Sequence, residues 1–338
     1  MNSHASTDTT PLVDRFGRIH RSLRLSVTDR CNLRCFYCMP EIGAEFAPRD
    51  SLLTFEEILR TANLLATRCG IRDIRLTGGE PLVRKDIAQL IAMLSSISTL
   101  QDLSLTTNGI LLGSFAEPLR RAGLKRLNIS IDTLDETTFQ NISRRRGVKQ
   151  VIEGIDAAIA SGFEVIKLNT TAVKGVTETE IVSLVRFAID RKVQIRFIEF
   201  MPLDTDRSWR TENVLGGDSI RAIIEKNFGP LTPIPPPQSS QPASDFALPG
   251  GSKVGLIQSV TKPFCDSCDR IRLTADGAIR NCLFSQTEYS IRDLLRSGAS
   301  DDELIEQFRT AVAAKASGHG IDEGTFSPPE RPMYSIGG

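Results

Sequence analysis

The sequence predicts an α/β fold, an incomplete (β/α)6 barrel followed by a smaller C-terminal α+β region. Three observations predict it. Strand-like and helix-like patterns alternate from residue 22 to about 201, which implies a parallel sheet with right-handed crossovers. Each strand candidate alternates polar with apolar residues, whereas strands buried on both faces read as continuous apolar runs. Beyond Met201-Pro202 the β–α period stops, and six units suit an open barrel better than a closed eightfold one.

The strand candidates, in order, are Leu23–Val27, Ile74–Thr77, Leu103–Thr106, Leu127–Ile131, Val165–Thr171 and Gln194–Phe200. Between them lie helical patterns. Thr54-Phe-Glu-Glu57 is a capping box, and Gly70 closes the helix it opens. Phe115–Ala122 stops before Gly123, Val148–Ala160 before Gly162, and Thr177–Arg191 is a further amphipathic run. Helices must cover the apolar faces, so Arg24, Arg75, Ser104, Asn128, Ser130, Lys167, Asn169 and Arg196 point into the barrel. Buried charges without partners are costly, so this interior is expected to hold a large, polar, anionic ligand. Polar edge strands facing water are the plain alternative.

The expected limits are a disordered N-terminus at 1–11, the partial barrel at 12–216, a C-terminal region at 217–317 and an extended tail at 318–338. The proline-rich segment 230–242 reads as a connector that forms no ladder. Val254–Ser259 is a strand candidate, Ile271–Asn281 a hairpin around Asp276-Gly277, and Asp301–Lys315 a charged amphipathic helix.

Composition bounds the function. The chain has 338 residues, 41 basic and 41 acidic, and no net charge, so no long-range field favours nucleic acid or a membrane surface. Met1–Thr10 lacks an apolar signal core, and no apolar run is long enough to span a bilayer. Seven cysteines in tight motifs without an export signal read as metal ligands in a reducing, cytoplasmic compartment. Cys69 is the odd one and reads as a small buried hydrophobe. The oligomeric state is not legible, and a homodimer is left open.

Cys31, Cys35 and Cys38 form C-x3-C-x2-C in one short loop. Three thiolates hold three irons of a 4Fe–4S cube and leave the fourth iron open, the mark of a reactive metal site. A zinc loop is the alternative, but zinc takes four ligands and this loop offers no fourth Cys or His. Cys265, Cys268 and Cys282 form a second incomplete set beside Arg270 and Arg272, which share one face of a strand. Two guanidiniums there suit a triphosphate. Zinc with a fourth aspartate ligand stays open for this set. Thr77-Gly78-Gly79-Glu80-Pro81 follows the second strand, where barrel sites form; its glycines let backbone approach a ligand, and Glu80 suits an ammonium group. Tyr37 packs on a cluster, or simply in its loop. Gly337-Gly338 by default is a disordered end.

The first triplet, the Gly-Gly-Glu segment, the second triplet and the terminal Met333-Tyr-Ser-Ile-Gly-Gly338 together resemble radical S-adenosylmethionine (SAM) enzymes, and among them the GTP 3′,8-cyclase family of molybdenum cofactor biosynthesis. The resemblance runs from about Leu12 to Gly338 and weakens over 204–250. It implies a radical SAM barrel with two 4Fe–4S clusters, SAM as co-substrate, GTP as substrate and an external electron donor. It implies that the first cluster binds SAM and that the second binds the guanine base. It assigns Tyr37, Gly79, Glu80, Thr106, Ser130 and Met201 to SAM, and Lys167 to the region SAM shares with substrate. Arg24, Arg75, Lys167, Arg196, Arg270 and Arg272 fall to GTP by the same resemblance. It also implies that Gly337 and Gly338 enter the site and assist the radical step. One departure stands out: Asp73 occupies a position where the family usually carries lysine, which puts one phosphate contact in doubt.

Overall fold

The computed structural model describes residues 9–204, 207–321 and 326–338. Residues 1–8 of the expected disordered N-terminus lie outside the described residues.

A short hairpin, β1 (Leu12–Val13) and β2 (Ile19–His20), leads into the main sheet. Six β–α units follow. Their strands are β3 (Ser22–Ser26), β4 (Asp73–Thr77), β5 (Asp102–Thr107), β6 (Arg126–Ser130), β7 (Val165–Ala172) and β8 (Gln194–Glu199). Their helices are α1 (Phe55–Arg68), α2 (Ile87–Ser95), α3 (Leu112–Arg121), the pair α4 (Glu136–Ser143) and α5 (Val148–Ala160), and α6 (Ile181–Asp190). Helix α7 (Gly217–Phe228) closes the last unit. Both halves of the Thr54–Glu57 capping box form, and Gly70 takes φ +73° just past the end of α1, a left-handed turn that favours glycine. Neighbouring strands from β3 to β8 all pair in parallel.

The alternation in the sequence becomes two faces. Leu23, Leu25, Ile74, Leu76, Leu105, Ile129, Leu168 and Phe197 are each at most 1% exposed, on the face turned to the helices. Burying each such side chain is worth about 1.5–3 kcal/mol. The other face carries the polar residues that build the site.

The C-terminal region is continuous with this sheet. Strands β9 (Thr232–Ile234), β10 (Ser244–Ala247) and β11 (Lys253–Ile257) extend one side, with β11 parallel to β8. Strands β12 (Arg270–Leu273), β13 (Ala278–Arg280) and β14 (Tyr289–Ser290) extend the other, with β12 parallel to β3. The twelve-stranded order is β14-β13-β12-β3-β4-β5-β6-β7-β8-β11-β10-β9, so the curved sheet stays open. Helices α8 (Arg292–Arg296) and α9 (Asp301–Ala313) precede the tail, and a second complete capping box, Ser300 with Glu303, starts α9. Among the described residues no helix is long and apolar enough to cross a membrane.

Two expectations need correction. The proline-rich segment does enter a ladder: Pro233 stands opposite Phe246, on the outermost strand, where a missing N–H costs nothing. The tail is not extended throughout. It ends in a short buried helix, α10 (Met333–Ile336), with Tyr334 and Ile336 4% and 1% exposed.

Candidate active site

Strand register aligns the charged residues. Arg272, Arg24, Arg75 and Ser104 stand side by side across β12, β3, β4 and β5. Ser130, Asn169 and Arg196 form a second row across β6, β7 and β8. All of these but Ser104 line a cavity of about 360 Å³, within the range of small-ligand sites. Both cysteine triplets open onto it, as do Tyr37, Gly79, Glu80, Thr106, Met201, Arg270 and Gly338. Ser104, Asn128, Lys167 and Gly337 are not part of the cavity wall. Lys167 is half-buried, level with Asn128 and Gln194, whereas Asn169 on the same strand lines the cavity.

Five arginines share this cavity, and Arg24 feels the charge of the other four. Burial first, then the charges of Arg75, Arg270, Arg272 and Arg196, push the Arg24 guanidinium well below its usual range. Burial and Arg196 bring Arg75 down to about 9, and burial with Arg270 brings Arg272 to about 10. Some are braced by neutral acceptors: Arg75 Nε donates to Ser104 Oγ at 3.2 Å, and Arg196 donates to Asn128 and Asn169. Among the described residues the Nε atoms of Arg24 and Arg270 are buried with no acceptor. Orphaned buried donors beside clustered cations call for an anion. Asp73 stands next along β4, and burial together with Asp102 and Asp269 raises its carboxyl. Asp73 itself lies outside the cavity wall.

The first triplet lies on the loop after β3. Backbone bonds from Arg34 to Ser143 and from Phe36 to Ile142 pin that loop to the end of α4. Cys31 Sγ accepts from Leu33 N at 3.4 Å and from the Asn108 amide at 3.7 Å. Burial pushes the Cys31 thiol up to about 11, and raises Cys35 and Cys38 as well. A bound metal offsets that cost, because thiolate is the ligating form. Tyr37 does more than pack: its hydroxyl donates to Asp132 Oδ2 at 2.6 Å.

The glycine pair lines the cavity and also meets the chain's own backbone. A Cβ on Gly78 would lie 2.5 Å from Thr28 O, and one on Gly79 would lie 2.4 Å from Arg30 O. Gly79 N and Glu80 N bond those same carbonyls at 2.7 and 2.8 Å. The glycines let the β4 loop close on the backbone leading into Cys31, and so fix the triplet relative to Glu80. Glu80 itself is 1% exposed. It accepts from Thr107 Oγ1, Asn108 N and Leu82 N, yet burial lifts its carboxyl to about 7.

The second triplet sits between β11 and β14. Cys268 Sγ accepts from Arg270 Nη2 at 3.4 Å and Lys315 Nζ at 3.5 Å. Burial opposes its ionisation, but these two cations outweigh it and hold the thiol at about 6. All seven cysteines are free thiols, and Cys69 is buried away from the site as expected. The described His, Cys, Asp and Glu side chains are not drawn in threes onto one point, and a cube, with one thiolate per iron, does not ask that of them. The donor set at each triplet fits an iron–sulfur cluster.

The C-terminus reaches the same cavity. Arg331 pairs with Asp276 and Glu288 at 3.1 Å each, and Tyr334 Oη donates to Glu45 O. Gly337 takes φ +89° and its carbonyl accepts from Arg272 Nη1 at 2.7 Å. A Cβ there would lie 2.7 Å from both Ser26 Cβ and Thr77 Oγ1.

Sequence reasoning missed Thr107, Asn108 and Lys315, and placed Asp132 on the inward face of its strand without a role. Thr107 and Asn108 stand just past the end of an inferred barrel strand, the signal that would have found them; Lys315 had none.

A radical SAM superfamily model matches residues 25–188, and a model described as Molybdenum Cofactor Synthesis C matches 193–321. The chain is 58% identical over 335 residues to a GTP 3′,8-cyclase of Rhodopirellula baltica, covering 98% of this chain and 93% of that protein. It is 45% identical over 337 residues to a GTP 3′,8-cyclase of Corynebacterium glutamicum, covering 97% and 89%. Among solved structures, Streptococcus suis SuiB superposes with a TM-score of 0.60 at 14% identity, over 94% of this chain and 77% of that one. Native anSMEcpe with bound AdoMet gives 0.55 at 15%, over 87% and 84%. At such identities these two likenesses speak for the fold alone.

Proposed function

The chain belongs to the GTP 3′,8-cyclase family, and from that premise we infer that it is a lyase that converts GTP to 3′,8-cyclo-7,8-dihydroguanosine 5′-triphosphate in the first step of molybdenum cofactor biosynthesis. It is a radical SAM protein, which implies an iron–sulfur cluster and SAM. The finer reading has two 4Fe–4S clusters, one at Cys31, Cys35 and Cys38 and one at Cys265, Cys268 and Cys282. The observation that carries it is the meeting of both triplets with five arginines in one cavity, where Arg24 Nε has no acceptor.

When bound, the first cluster and SAM would supply, on one-electron reduction by the external donor, a 5′-deoxyadenosyl radical able to take hydrogen from the ribose C3′ of GTP; closure of that carbon on guanine C8 would take up one further electron and a proton to give the 7,8-dihydro product. The protein's part is to hold and orient. Glu80, anchored by Thr107 and Asn108, offers a carboxylate to the SAM ammonium. Gly79, Thr106, Ser130 and Met201, on the same wall, complete the SAM side, and Tyr37 is fixed there by Asp132. Arg24, Arg75, Arg196, Arg270 and Arg272 take the anionic end of GTP as charge-assisted donors. Lys167 contributes charge to this group from behind the wall rather than by contact. Gly337 and Gly338, held by Arg272, restrict the space at C3′, where small displacements cost rate. The electron comes from an external donor, and the thiols suit a reducing cytoplasm. The working division keeps 12–216 as the radical SAM part, 217–317 as the part holding the second triplet and 318–338 as the tail.

Anaerobic incubation of the reconstituted protein with SAM, GTP and dithionite tests this reading. It expects 5′-deoxyadenosine and the cyclised nucleotide only when GTP is present. A fully loaded, reduced protein that yields neither would overturn it.

A further inference from the structure

We propose that Lys315 is a positioning residue whose ammonium raises the reduction potential of the cluster at Cys265, Cys268 and Cys282. The proposal rests on the two-cluster reading above. Lys315 lies two residues past the end of α9 and is 3% exposed. A buried charge of this kind needs an anionic partner. Among the described residues its ammonium makes three contacts, to Arg270 O at 2.8 Å, Cys268 O at 3.4 Å and Cys268 Sγ at 3.5 Å. Two of the three are neutral carbonyls, and the third is a cluster-ligating sulfur, so on the two-cluster reading the cluster is the partner.

The arrangement is held from both sides. Arg18 donates to Cys265 O at 2.7 Å and to Ser317 O at 2.9 Å, which ties the cysteine loop to the segment carrying Lys315. The first triplet differs: Cys31 Sγ accepts from a backbone N–H and a neutral amide. Cationic donors thus meet a sulfur of the second triplet, and neutral donors a sulfur of the first. One-electron reduction of a cluster adds a negative charge, supplied here by an external low-potential reductant. Donors to the ligating sulfurs are one of the levers on that step, and a nearby ammonium stabilises the reduced form.

The test is a dithionite redox titration, read by electron paramagnetic resonance, on the full chain with both clusters. Added GTP marks the signal of the second cluster and SAM that of the first. Lys315→Gln keeps N–H donors for the carbonyls and removes the charge, whereas Lys315→Arg keeps the charge. At a fixed potential, Lys315→Gln is expected to hold roughly tenfold less reduced second cluster, a fall of about 59 mV for a one-electron couple. Lys315→Arg should stay near wild type, and the first cluster should not move in either variant. A Lys315→Gln variant that loses the second cluster while Lys315→Arg keeps it also supports the charge's role. An unchanged second midpoint at full iron content, an equal shift of both clusters, or loss of the cluster in both variants overturns the proposal. Wild-type protein with about four irons and a single signal overturns the two-cluster reading, and the proposal with it.

Discussion

Gly337→Ala adds one methyl group where the fold has no room for it. Gly337 has φ +89°, and a left-handed residue with a side chain costs about 1–2 kcal/mol. The new Cβ would also sit 2.7 Å from Ser26 Cβ and Thr77 Oγ1, atoms of two central strands that do not yield. The tail must then back out, and the 2.7 Å bond from Arg272 to Gly337 O is lost. A bond to a charged group is worth about 1.5–3 kcal/mol. Together these terms disfavour the docked tail by about 2.5–5 kcal/mol, or two to nearly four powers of ten in its population. No cysteine is touched, so iron content and SAM binding should match wild type. The assay is cyclised product per SAM cleaved, paired with limited proteolysis of the C-terminus. Product should fall at least about 100-fold, and the tail should become cleavable. A variant with a protected tail and full product yield would refute the reasoning, since the methyl would then have found space.

Three further outcomes are expected. Arg270→Ala and Arg272→Ala each remove a charge-assisted donor and should weaken GTP binding by about 1.5–3 kcal/mol in calorimetry, with SAM affinity unchanged; equal loss of both ligands would point to misfolding. Burial holds Glu80 protonated up to about pH 7 in the ligand-free protein, so SAM affinity should rise as pH climbs through 7, and Glu80→Gln should flatten that dependence. The linked stability runs the other way: a raised carboxyl favours the folded state at low pH, so ligand-free Tm should fall between about pH 4.5 and 7 through this group. Replacing Cys265, Cys268 and Cys282 with Ala should halve the iron content and weaken GTP binding while SAM binding persists; stoichiometric zinc in anaerobically purified wild type would contradict the second cluster.

The fold was legible because its signals are local. Alternation inside each strand marked β3 to β8 within a residue or two, and the two faces it implied are the two faces observed. Capping chemistry marked α1, and Gly162 the end of α5. What escaped depends on contacts between distant segments. Helices α2, α4 and α7 lack a complete capping box, and α2 begins at an Asp86 in left-handed conformation. That β11 and β12 would join opposite sides of the sheet is a matter of register that the sequence does not display. The same holds in the site. Most of the residues lining the cavity from the strands were readable from strand faces, but Ser104, Asn128 and Lys167, also read as inward-facing, are not part of its wall. Gly78 and Gly79 were readable as a close approach, but the partner is the chain's own backbone at Thr28 and Arg30. The tail reads as a disordered end because its anchors, Asp276, Glu288 and Arg272, lie far away in sequence.

The central claim is that this cavity holds GTP with its ribose C3′ presented to the SAM side. GTP deuterated at C3′ tests it most directly, with the 5′-deoxyadenosine from one anaerobic turnover analysed by mass spectrometry. The account predicts one deuterium transferred into 5′-deoxyadenosine and its loss from the cyclised nucleotide. Unlabelled 5′-deoxyadenosine, with the deuterium kept in the nucleotide, would contradict it.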